Sequence, residues 1–171
     1  MPAALPSPLV VVDANVVMDL GEESESLIDA FATIRQRLCS PRIVLTPTVT
    51  LELMHIAWQG DTARERRLAL NGMAAARQSR IVPVNLMPVG HGIVERIAGE
   101  LRSAQLLPAS EMNDSQLEVE SALLAAQLLI SSDEHLRGLD FARLTAELHR
   151  FDLTTPVIAM SLEVVRKFFQ P

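Results

Sequence analysis

Five short aliphatic runs punctuate the sequence: Leu9-Val10-Val11-Val12, Ile43-Val44-Leu45, Ile81-Val82 with Val84, Leu128-Leu129-Ile130, and Val157-Ile158-Ala159. Each is too brief for a buried helix, and β-branched residues are common in them, so each reads as a buried strand. Between them apolar residues recur at helical spacing, as in Leu27, Ile28, Phe31, Ile34 and Leu38, or Val89, Ile93, Ile97 and Leu101. Thr46-Pro47 reads as an N-cap followed by proline at the first helical position, and Gly60 ends that helix. Further helices are expected over residues 62–78, 113–127, 141–148 and 162–169. Pro83 interrupts the third run, which places it at a sheet edge. Strands alternating with helices predict an α/β fold, a three-layer αβα sandwich around a central five-stranded parallel sheet. Sheets of this kind bind ligands beyond the carboxyl ends of their strands.

The 171 residues amount to one domain by length, and 49% hydrophobic residues exclude a disordered chain. A single cysteine, Cys39, excludes a disulfide framework and a multi-cysteine metal site, and suits the reducing cytoplasm. Cys39 itself is expected to fill space at a helix end. No apolar run approaches membrane-spanning length, and the opening residues lack the basic region of a signal peptide. The net charge of -6 argues against holding nucleic acid by a bulk positive field. It leaves room for an enzyme whose acidic site is filled by metal ions.

Acidic residues stand where the sheet rule directs attention. Asp13 follows the first strand, and Asp133 follows the fourth in Ile130-Ser131-Ser132-Asp133. Glu52 lies on the helix after the second strand. Asp114 opens the helix feeding the fourth strand, with Glu118 one turn on, on the same face. Taken singly, each has a plain explanation: Asp13 and Asp133 as helix N-caps, and Glu111, Glu118 and Glu120 as solvated helix face. Together they are harder to explain without a cation, because crowded carboxylates raise one another's pKa and cost stability. Oxygen ligands alone select a hard ion, Mg²⁺ or Mn²⁺.

The motifs Val10-Val11-Val12-Asp13-Ala14-Asn15, Thr46-Pro47 with Leu51-Glu52-Leu53, Asn113-Asp114 with Ala122, and Leu129-Ile130-Ser131-Ser132-Asp133 resemble, in order, the four acidic motifs of PIN-domain ribonucleases, the VapC-like toxin nucleases and their relatives. The resemblance covers residues 9–165 and implies a single PIN-like nuclease domain over residues 1–171. It implies Asp13, Glu52, Asp114 and Asp133 as catalytic, metal-binding acids for Mg²⁺ or Mn²⁺, with Asn15, Glu118 and Ser131 in support. It also implies an RNA substrate cut by water attack and, for many small members, a toxin's role beside an antitoxin protein. The segment between Glu52 and Asp114 is longer than in the compact toxins of the family.

The remaining residues add less. His55, His91, His135 and His149 are dispersed, no zinc-binding spacing occurs, and no glycine-rich phosphate loop is present. Arg64, Arg66 and Arg67 make the segment after Gly60 locally basic, either as RNA contacts or as a solvated face. Apolar helix surface leaves a homodimer open. Two other readings stand beside the nuclease: a PIN-like scaffold that binds without cutting, and an aspartate-based phosphotransferase using Asp13. The second wants an aspartate where Asn15 stands and a lysine after a later strand, whereas Lys167, near the end, is the only lysine.

Overall fold

The computed structural model describes residues 7–22, 24–161, 163 and 164. Strands β1 (Leu9–Val12), β2 (Arg42–Leu45), β3 (Val82–Pro83), β4 (Leu128–Ile130) and β5 (Val157–Ala159) form one sheet in the order β3-β2-β1-β4-β5. All four pairings are parallel. β1 and β4 are buried along nearly their whole length, which is why their sequences carry no polar alternation. The proline-bearing strand is at the edge, as expected. The strand order reverses between β1 and β4, and this switch point opens a crevice at their carboxyl ends.

Helices flank the sheet in the expected three layers. α1 (Ala14–Leu20) and α2 (Glu25–Arg37) connect β1 to β2, and α3 (Pro47–Gln59) and α4 (Ala63–Gln78) connect β2 to β3. α5 (Pro88–Ser103) and α6 (Met112–Leu123) lead to β4, and α7 (Glu134–Arg137) and α8 (Phe141–His149) lead to β5. One core joins the strands to α1–α4, through residues such as Val17, Phe31, Leu53 and Ala69. A second joins α5, α6 and α8 through Leu101, Val119, Leu144 and Leu148.

Several boundaries differ from expectation. α6 stops at Leu123 because Ala125 turns left-handed (φ 51) and the Ala126 amide bonds back to the Ser121 carbonyl at 2.9 Å. Residues 124–127 then lead the chain into β4. On α5 the buried face runs through Val94, Ile97, Ala98 and Leu101, while Val89 and Ile93 are exposed. Cys39 is exposed in a left-handed turn after α2, so it fills no space. The expected helix over 162–169 lies, apart from residues 163 and 164, outside the described residues, as does Lys167.

The approach of α1 to α4 bears on the site, because α1 begins at Asp13. The two backbones meet at Gly72, where an added Cβ would stand 2.3 Å from the Val17 carbonyl oxygen. Alanine normally favours a helix over glycine. Here the overlap outweighs that gain, and Gly72→Ala is expected to cost about 1–3 kcal/mol, lowering Tm by about 3–10 °C. Thermal unfolding checks this; an unchanged Tm would mean that α1 and α4 do not pack so closely.

Candidate active site

The β1–β4 register builds the site. Val12 pairs with Ile130, so the next residues, Asp13 and Ser131, leave the sheet side by side. The buried Asp13 accepts from the Ala14 amide at Oδ1 (2.6 Å) and from the Ser131 hydroxyl at Oδ2 (2.6 Å). The Ser131 oxygen in turn accepts from the Asp133 amide at 3.0 Å. Asp133 accepts at Oδ1 from the amides of His135 (2.7 Å) and Leu136 (3.4 Å), capping α7. Both aspartates are therefore N-caps, of α1 and α7, and they lie near enough for the charge of Asp133 to act on Asp13. One fully buried hydroxyl couples the two strand ends.

Glu52 and Asp114 arrive from the other side. Glu52 is half-buried on α3, and its Oε2 accepts from the Asn113 amide group at 3.3 Å. Asp114 lies in the first turn of α6 with Oδ2 buried and without a hydrogen-bond partner. The helices are tied by Glu120 of α6, which accepts from the Thr48 hydroxyl at 2.9 Å and from its backbone amide at 3.2 Å. A buried carboxylate thus satisfies the N-terminus of α3, where Thr46 makes no side-chain cap bond.

Electrostatics show which acids share one space. Burial raises the Asp114 acid from 3.8 to about 7, with the charges of Asp133, Asp13, Glu111 and Glu52 adding to it. Burial also raises Glu52, followed by Asp13; the Asn113 bond, Asp133 and His55 act more weakly, the first and last opposing the rise. Asp13 is raised by burial against the lowering effect of Ser131 and Ala14, and Asp133 raises it further. The four expected acids thus feel one another across the crevice. Among the described residues, however, no group of three or more His, Cys, Asp or Glu side chains is close enough to hold a metal ion as placed. The two findings are compatible, since charge acts over several ångströms while ligation needs oxygens about 2.0–2.6 Å from one point. The acids are near enough to act on one another's charge and too far apart to share a ligated ion as they stand. The donor set is all oxygen, and the orphaned Asp114 oxygen lies among like charges, so these residues fit a hard divalent cation.

The supporting residues are distributed unevenly. Asn15 is exposed and lines a groove of about 620 Å³ with Ser132, Thr62, Arg64, Asp19 and Glu22. Arg64 in that groove is paired with Glu22 at 2.6 Å. Arg66 donates to the Gly60 carbonyl and Arg67 is exposed; neither lines the groove. Glu118 and Glu120 are not solvated helix face: both are buried because α6 packs under its neighbours on most of its circumference. Burial alone holds the Glu118 acid near 8, and neither of its oxygens has a hydrogen-bond partner among the described residues. Glu120 was not recognisable as a site-building residue from spacing, and Asn113, although part of the motif Asn113-Asp114, had no role assigned to it. Their partners lie on α3, far off in sequence, and the only local hint was a carboxylate set among Val119, Ala122 and Leu123.

The fold is similar to a chain in the crystal structure of VapBC2 from Rickettsia felis bound to a DNA fragment from their promoter. The TM-score is 0.58 and the identity 11%, over 77% of this chain and 93% of that one. This likeness bears out the PIN-like fold class. No family model matches the sequence, and no curated protein matches it.

Proposed function

We propose that the chain is a divalent-metal-dependent ribonuclease, a single PIN-like domain over residues 1–171, with Asp13, Glu52, Asp114 and Asp133 as its metal-holding acids. One observation carries the reading: acids from four separate segments crowd one crevice at the switch point, and one of them keeps a buried oxygen without a partner. Such crowding costs stability unless a cation offsets it. Bound there, Mg²⁺ or Mn²⁺ supplies Lewis acidity to a phosphate oxygen and to the attacking water.

The chain's own residues set the stage for that chemistry. Ser131 fixes the Asp13 carboxylate and, through the Asp133 amide, the start of α7. Asn113 aims Glu52 inward. Asp114, whose acid burial raises to about 7, would lose its proton in order to hold a cation through the buried oxygen. Asn15 and Arg64 face the adjoining groove, where an RNA phosphate would draw Arg64 from Glu22. Arg66 and Arg67 extend the basic segment along α4, and Glu118, kept neutral by burial, adds no charge to the crevice. The fold neighbour, a chain of a VapBC2 structure, supports an antitoxin protein as partner. A homodimer as the working assembly and the cytoplasm as the compartment complete the proposal. No helix among the described residues is long and apolar enough to cross a membrane.

Purified protein is incubated with a panel of RNAs with and without Mn²⁺ or Mg²⁺. Metal-dependent cleavage leaving 5′-phosphate ends is expected. Mn²⁺ at about 100 times its Kd should stabilise the fold by about 2.7 kcal/mol, raising Tm by about 5–10 °C. Metal-dependent stabilisation without cleavage, or neither, would leave the binding-scaffold reading in its place.

A further inference from the structure

Between the first three turns of α3 and the first two turns of α6 lies a cleft of about 260 Å³ walled by Thr48, Leu51, Glu52, His55, Asn113 and Gln116. Glu52 belongs to the acidic site, so the cleft opens directly beside it. The volume falls below the roughly 300–1,000 Å³ of pockets that take drug-sized ligands, which suits a single planar ring system. Its chemistry is that of a base edge and not of a phosphate. Asn113 and Gln116 present neutral amides, each a donor beside an acceptor, and no arginine or lysine among the described residues lines the walls. Asn113 spends one N–H on Glu52, whereas the side chain of Gln116, half-buried, makes no hydrogen bond among the described residues. Leu51, 66% exposed, supplies an apolar lip, and the exposed His55 a ring at the rim. Thr48 is already engaged by Glu120, so it offers little to a ligand; that contact instead fixes α3 against α6 and presets the cleft's width.

We infer that this cleft receives one unpaired nucleobase next to the phosphate held at the acids, and that Gln116 reads its edge. The identity of the ligand rests on the ribonuclease reading, and its placement rests on the cleft itself. The base must be unpaired, because a paired one has its hydrogen-bonding edge covered. The cleft thus discriminates the RNA at one unpaired position.

Binding of the four nucleoside 5′-monophosphates and of ribose 5-phosphate is measured by calorimetry in Mn²⁺, for wild type and Gln116→Ala. One nucleotide is expected to bind about tenfold tighter than ribose 5-phosphate, the 1.4 kcal/mol of a well-made edge contact. In Gln116→Ala that advantage should fall to within about twofold, with ribose 5-phosphate binding and Tm unchanged. Nucleotides binding no better than ribose 5-phosphate, or a preference that survives in Gln116→Ala, overturns the cleft whether or not the protein cuts RNA. Base-selective binding lost in Gln116→Ala, in a protein that cuts no RNA, supports the cleft and counts against the nuclease reading alone.

Discussion

Asp13→Asn is expected to lower metal-dependent RNA cleavage by about 10²-fold or more, a barrier increase of about 3 kcal/mol, and to leave the fold standing. The two effects separate because Asp13 has two tasks. As the N-cap of α1 it needs an acceptor for the Ala14 amide, and asparagine is as good a cap as aspartate. Toward Ser131 the new amide group donates where the carboxylate accepted; the hydroxyl rotates, and its oxygen has a second lone pair beside the one taken by the Asp133 amide. What asparagine cannot supply is charge. The variant relieves repulsion on Asp114 and Glu52, so without metal its Tm should equal or exceed that of the wild type. Stabilisation by Mn²⁺ should largely disappear. Asp13→Ala gives the contrast: it loses the cap as well, at about 0.5–2 kcal/mol. Equal cleavage by Asp13→Asn and wild type would remove Asp13 from the catalytic set.

Where burial and local periodicity coincide, as at Val10–Val12 and Leu128–Ile130, the strands were legible from sequence, and so were Asp13 and Asp133 at their ends. The plain and the functional explanations of those aspartates turn out not to compete. One carboxylate oxygen caps a helix while the residue faces the crevice, which a motif cannot express. Long-range packing was the harder part. Glu118 and Glu120 are charged residues in the second half of a helix, and charge ordinarily marks the solvated face. Glu120 is buried because the N-terminus of α3 needs an acceptor, and that need arises only once the two helices meet. Gly72 likewise sits in an alanine- and arginine-rich helix where nothing local asks for glycine; the Val17 carbonyl does. The early end of α6 follows from the tight entry into β4, where Gln127 bonds to the Leu9 carbonyl.

Glu118→Leu is expected to stabilise the protein, and more so as pH rises. The side chain is fully buried, and neither carboxylate oxygen finds a partner. In the folded chain it keeps its proton up to about pH 8, against an ordinary value of 4.5. Between those values unfolding releases a proton, so raising the pH favours the unfolded chain. Glu118 therefore costs nothing through ionisation below about pH 4.5, costs more with each unit across the window, and reaches its full cost above about pH 8. A slope of about 1.4 kcal/mol per pH unit is the single-proton limit. Leucine has a similar volume and no charge, so the variant should gain about 2–4 kcal/mol at pH 8, or about 5–15 °C in Tm. At pH 4.5 the gain should shrink to about 1 kcal/mol, the cost of an unpaired but neutral polar group. The slope should not vanish, because Asp114 contributes one of the same sign between 3.8 and about 7. Denaturant melts of both proteins from pH 4.5 to 8.5 test this. An equal gain at both ends would mean that the Glu118 carboxyl does not change its ionisation on unfolding, and a loss of stability would mean that it has a partner whose removal costs more than its burial.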